Sequence, residues 1–350
     1  MGLVVWVAIF VLNILFLCCY VDDCFGVTTD DDLETYEPYQ MRLARVQVAL
    51  LRLWDFLGLP HGRRKQFCEY ILDVIGFLID PNALTATLPP ESKSELIQQV
   101  RMFANSRRRT LHEWQQLAGW MNWSLNVFPL YRPALCNVYA KMRGKSNQSA
   151  LIFVNKAVRD DLLWFADHVE NSSGVFFFAN IDWNPLVEAD LEIYGDACLT
   201  GLGFWVPADN LGLSALVDQG SEMAHLIFYW EAITVLAAIH HITRSPNPRR
   251  GTAERPFRLT IRSDSSNTVN IFNSLHAQPT YNPILTAAVE PDTRWSGQSM
   301  QAGGATAMAE DGAPPHIIQA TGRWASDAFQ FYIRKNPVVL NAMLAAQRRD

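Results

Sequence analysis

A chain of 350 residues with 49% hydrophobic and 18% charged positions can bury sizeable cores and should divide into two or three units, which excludes an intrinsically disordered protein. The net charge of −6 is unevenly spread: residues 1–41 hold seven acids and no Lys or Arg, whereas residues 42–109 hold eleven Lys and Arg against six acids. The six cysteines, Cys18, Cys19, Cys24, Cys68, Cys136 and Cys198, show neither metal-ligand spacing nor a disulfide framework, so a reducing, intracellular setting, nuclear or cytoplasmic, is the simpler reading.

The first apolar run, "MGLVVWVAIFVLNILFLCC", is long enough to cross a bilayer. It lacks a basic n-region, a basic flank and a small-residue cleavage pattern. It also divides at Asn13 and Ile14 into a helix-like "GLVVWVAIFVL" and a strand-like "ILFLCCYV". The expectation is therefore a buried helix and a core strand whose tight turn exposes Asp22 and Asp23. An N-terminal membrane segment is the minority alternative.

Next come an acidic stretch, "TTDDDLETYEPY", and a helical run, "QMRLARVQVALLRLWDFLGLP". A strand pair, "IGFLID" and "ALTATLP", leads to a helix opening at Pro89 and Pro90. Two basic clusters, Arg63, Arg64 and Lys65 in "GRRKQF" and Arg107, Arg108 and Arg109 in "NSRRRT", read either as polyanion contacts or as solvated helix faces, the commoner cause of short basic runs. The stretch "TLHEWQQLAGWMNWSLNVFP" opens on a capping box, Thr110 to Glu113, and sets Leu111, Trp114, Leu117, Ala118, Met121 and Leu125 on one helix face.

From Leu191 the pattern changes to strands. "LEIYGDACLTGLGFWVP" reads as two strands around a Gly-containing turn, the first carrying Asp196, and "AHLIFYW" as a third. "EAITVLAAIHHI" reads as a helix opening on Glu231, and "FRLTIRSDSSNTVNIF" as a strand ending near Asp264 and then a helix. Asp196, Glu231 and Asp264 thus stand one in each of three elements, where any single acid near a strand end is ordinarily a surface group.

These segments carry three resemblances. Tyr20-Val21-Asp22-Asp23 resembles the Tyr-x-Asp-Asp motif of reverse transcriptases, which implies Asp22 and Asp23 as metal ligands. The β-β-β-α-β-α order with Asp196, Glu231 and Asp264 is similar to ribonuclease H, which implies those three as catalytic Mg²⁺ ligands; the fourth acid usual in that family has no counterpart here. "SGQSMQAGGATAMAEDGAPPHIIQATGRWASDAFQFYIRKNP" resembles the end of a tyrosine recombinase, with Tyr332 at the nucleophile position and Trp324 at the His/Trp position. Gln298 and Gln301 stand there in place of the family's His-x-x-Arg motif, and neither amide supplies a guanidinium's fixed charge.

Together the resemblances imply an α+β multidomain relic of a retrotransposon that integrates through a tyrosine recombinase. The implied divisions are a partial polymerase palm over 1–88, thumb and connection helices over 89–150, a linker over 151–180, an incomplete ribonuclease H-like domain over 181–290 and a helical recombinase fragment over 291–350. The implied partners are DNA and RNA–DNA hybrid, with Mg²⁺ and no small-molecule cofactor. Each implied catalytic set is partial, so a non-catalytic nucleic-acid-binding relic is the alternative.

Overall fold

The computed structural model describes residues 2–14, 16–29, 32–176, 189–244 and 257–289 of this mixed α+β chain. They fall into two compact units: Met1–Gln99 with short returns at Asn126–Phe128 and Val169–Phe178, and the remainder from Val100. Gln298, Gln301, Trp324 and Tyr332, and with them the expected recombinase fragment, lie outside the described residues.

In the first unit, helix α1 (Gly2–Phe10) is followed by Asn13 at φ 56°, a left-handed value that asparagine adopts more readily than most non-glycine residues. Strands β1 (Leu17–Tyr20) and β2 (Asp23–Gly26) form an antiparallel hairpin. Its two-residue connection is Val21–Asp22, with Val21 at φ 58°, and Asp23 closes the turn opposite Tyr20, so both aspartates are exposed at the hairpin end as expected. Ile14, Ala8 and Leu50 are buried together, with Leu17, Cys24 and Val46 packed around them. Strands β3 (Leu33–Tyr36) and β4 (Met41–Ala44) form a second hairpin. The helical run expected from Gln40 therefore begins only at α2 (Arg45–Leu57), because pairing with β3 holds Met41–Ala44 extended. Gly58 closes α2 at φ 67°, and the Tyr36 hydroxyl donates to Asp55 near that end. Strands β5 (Leu72–Val74), β6 (Phe77–Asp80) and β7 (Thr85–Thr87) make an antiparallel meander, in which the β6–β7 pair is the one expected.

Helix α3 (Pro90–Ala104) starts at the expected proline pair. In the second unit, β8 (Arg108–Thr110) leads into α4 (Leu111–Ser124) through the expected capping box, Thr110 accepting from the Glu113 N–H and Glu113 accepting from that of Thr110. A cap of this kind contributes about 1 kcal/mol. All six residues placed on the inner face of α4 or just past its end are buried. Helix α5 (Cys136–Met142), strand β9 (Leu151–Phe153), which pairs with β8, and helix α6 (Lys156–Asn171) follow. The chain then returns to the first unit, where β10 (Val175–Phe176) pairs with β7.

The rest of the second unit is built on a four-stranded sheet. Strands β11 (Leu191–Ala197), β12 (Gly201–Val206) and β13 (Leu211–Leu216) run antiparallel, and β14 (Leu259–Arg262) lies parallel to β11 on its other edge. Alternation along β11 turns Leu191, Ile193 and Gly195 inward and Tyr194 and Asp196 outward. The inner face meets α7 (Ile227–Arg244), where Leu191, Ile193, Phe204, Val206, Ala238 and Ile242 form one core. The segment expected as the third strand, residues 224–230, instead supplies the first turn of α7, and β13 is the third strand. Helices α8 (Ser266–Ser274) and α9 (Asn282–Ala288) complete the described part, and α9 packs against α7.

Candidate metal centre

Three elements bring one carboxylate each to a single point. Asp196 stands near the end of β11, Glu231 in the second turn of α7, and Asp264 two residues past β14. Each offers an oxygen within 4.8 Å of the others'. Parallel pairing of β11 with β14 sets the two aspartates at the same end of the sheet. Glu231 reaches them because α7 lies close over β11. Gly195 allows that approach, since a Cβ there would stand 3.0 Å from the Thr234 methyl.

The three groups differ in environment. Asp196 and Asp264 are exposed, whereas Glu231 is buried. Its oxygens accept from the Ala197 N–H at 3.3 Å and the Ser263 hydroxyl at 3.4 Å. Burial holds the Glu231 carboxyl above its ordinary range, and the charges of Asp196 and Asp264 add to that rise against the opposing Ala197 hydrogen bond. Oxygen-only donors, crowded like charges and one partly dehydrated carboxyl are what a hard divalent cation such as Mg²⁺ relieves. The donor set thus fits such an ion.

Around the cluster, Arg262 is engaged by Glu192 at 2.8 Å through its Nε, so it is a sheet-edge cation already paired. Beside Asp196 a groove of about 990 Å³ runs over the outer face of the sheet, floored by Gly203, Gly212 and Ser214 and walled by Tyr194 and Trp205. The sequence reading missed the Ser263 hydroxyl, the Ala197 N–H and Gly195. Only Gly195 left a signal, a glycine inside an alternating strand.

The other expected site residues lie apart from this cluster. Asp22 and Asp23 are exposed on the β1–β2 hairpin, and among the described residues they belong to no group of three metal-ligating side chains. Arg63, Arg64 and Lys65 share one exposed 3₁₀ turn. In the other cluster Arg107 and Arg108 are exposed, the Arg108 guanidinium lies 3.9 Å over the Phe153 ring, and Arg109 pairs with Glu113 at 3.0 Å. Among the described residues no helix is long and apolar enough to cross a membrane.

No family model matches the chain, and no curated protein matches it. Solved structures of the foamy viral protease-reverse transcriptase superimpose on it weakly. The form in complex with RNA/DNA hybrid does so with a TM-score of 0.38 at 16% identity, over 83% of this chain and 36% of that one. The dRH form, in complex with ds DNA, gives 0.36 and 14% over 83% of this chain and 47% of that one. A further form in complex with dsDNA gives 0.35 and 15%, over 82% and 55%. This chain thus spans about a third to just over half of the length of the proteins it resembles, and superposition at that level carries no functional weight.

Proposed function

We propose that residues 181–290 form a ribonuclease H-like domain that hydrolyses phosphodiester bonds in the RNA strand of an RNA–DNA hybrid, within a retroelement-derived chain. The observation that carries the reading is the convergence of Asp196, Glu231 and Asp264 within 4.8 Å. Asp196, Glu231 and Asp264 would hold Mg²⁺, which when bound supplies Lewis-acid activation of water and charge neutralisation at the phosphate. Asp196 and Asp264 are exposed at the sheet end, where an incoming strand would meet them. Glu231, fixed by Ala197 and Ser263, keeps its carboxyl aimed at the same point.

On this reading residues 1–88 and 89–150 are palm and thumb remnants, 151–180 is a linker, and 291–350, with Tyr332 and Trp324, is a recombinase remnant. Neither end is proposed as an active enzyme. The exposed Arg63, Arg64 and Lys65 favour a second role, backbone contact with nucleic acid independent of catalysis.

The test is cleavage of a labelled RNA–DNA hybrid in Mg²⁺ by the full chain. Asp264→Asn should lower the rate on the order of 100-fold or more, since even groups one step removed from a metal cost 10–100-fold. In parallel, Mg²⁺ should raise the melting temperature more at pH 8 than at pH 5, because a carboxyl that burial holds above its ordinary range takes up a competing proton more readily as pH falls. Glu231→Gln should flatten that difference. Cleavage that persists in all three single carboxamide variants points to another nuclease in the sample and removes the assignment.

A further inference from the structure

The β1–β2 hairpin carries a feature outside the carboxylate cluster. Its register sets Cys19 directly opposite Cys24, one step in from the closing pair Tyr20–Asp23. In a hairpin with a two-residue connection, the closing residues are the narrow, hydrogen-bonded pair. The next pair is the non-hydrogen-bonded one, with Cα atoms about 4.5 Å apart and side chains on the same face drawn close together. That separation lies within the roughly 4.4–6.8 Å that a disulfide spans. Cys18, opposite Phe25, is placed on the other face by strand alternation. Both Cys19 and Cys24 are half-buried free thiols, and Cys24 packs against the Ala8–Ile14–Leu50 core.

We propose that Cys19 and Cys24 are a reversible dithiol–disulfide pair that low-molecular-weight disulfides oxidise, locking the hairpin that presents Asp22 and Asp23. A Cys19 thiolate attacks the small disulfide, forming a mixed disulfide and releasing one small thiol. Cys24 then attacks the Cys19 sulfur and expels the second. The two protein thiols lose two electrons and two protons, and the small disulfide is reduced to two thiols. The order follows from placement: Cys24 is the thiol packed against the Ala8–Ile14–Leu50 core, which leaves Cys19 as the first attacker. The bond closes a very short loop and constrains the unfolded chain little, so reducing thiols should reopen it. The inference stands on the hairpin alone and holds whatever the carboxylate cluster does.

The full chain, incubated with oxidised glutathione and digested without reduction, should yield a Cys19–Cys24 link by tandem mass spectrometry. Reduced glutathione should remove it. Exposed Cys18 and Cys68 should carry glutathione instead. Cys18→Ser should keep the link, and Cys24→Ser should leave glutathione on Cys19. In the unmutated chain, oxidation should also slow amide exchange at Val21–Asp23. A link through Cys18, or glutathione on Cys19 and Cys24 with no link between them, would overturn the proposal.

Discussion

Asp161, on α6, is a carboxyl in a nearly closed site, 8% exposed and surrounded by carboxamides. Asn137 donates to it at 2.8 Å, and Asn282, 1% exposed, donates at 3.2 and 3.3 Å. Burial still outweighs these bonds and pushes its pKa up from 3.8 to about 6. The Asn282 side-chain oxygen, meanwhile, is buried without a donor. Both facts describe a site built for a group that donates as well as accepts. With the folded pKa above the unfolded one, the folded state holds the proton more tightly, so this site is most favourable below about pH 4 and loses stability as pH rises through about 6. The span of about two units corresponds to at most on the order of 3 kcal/mol. Asp161→Asn should therefore melt higher than the parent at pH 8 and converge with it near pH 4, where the parent carboxyl is itself protonated. A difference in melting temperature that does not change between pH 4 and 8 would show that ionisation of Asp161 is not the source. Asp55, Glu113 and Glu192 are held below their ordinary range, Asp55 and Glu192 mainly by side-chain hydrogen bonds and Glu113 by its cap, so their contributions run the other way. Only the difference between variant and parent isolates the contribution of Asp161.

At the scale of elements, the β11–α7 pair decides whether the carboxylates meet. A methyl at Gly195 would press on the Thr234 methyl at 3.0 Å, and Thr234 is fully buried with its hydroxyl bonded to Trp230. Gly195→Ala should cost about 1–3 kcal/mol through overpacking and weaken the Mg²⁺-induced rise in melting temperature by lifting α7. Adding Thr234→Ser, which deletes that methyl and keeps the hydroxyl, should restore both; if it restores neither, the spacing argument fails. The strand alternation in "LEIYGDA" and the cap at Thr110 were legible because each is a local pattern. What escaped was set by partners. "LGLSAL" has no β-branched residue and gains its strand form from six paired positions on β12. "AHLIFYW" is rich in strand formers, yet from Ile227 it continues the helical spacing that buries Glu231, Ala232, Val235, Ala238 and Ile242. The short helix α9, with proline near its start, depends on packing against α7.

Across the whole molecule, a net charge of −6 opposes nucleic acid, so any binding must come from local cations. Charge runs were legible in the sequence, but their engagement was not. Of the two clusters, Arg108 is stacked on Phe153 and Arg109 is tied to Glu113 at the start of α4, whereas Arg63, Arg64 and Lys65 stand exposed on one turn. The two clusters should therefore respond differently to charge reversal. Replacing Arg63, Arg64 and Lys65 by Glu should weaken binding to an RNA–DNA hybrid and flatten its salt dependence by up to about 0.9 in log–log slope for each phosphate no longer neutralised. Arg109→Glu should instead lower the melting temperature, since it sets a like charge against Glu113 and leaves that cap without its cation. Fluorescence anisotropy over a salt series, alongside thermal melts of each variant, measures both. If the triple variant keeps the parental slope while Arg109→Glu flattens it at unchanged stability, the phosphate contacts lie at the second cluster and the exposed turn is an ordinary solvated surface.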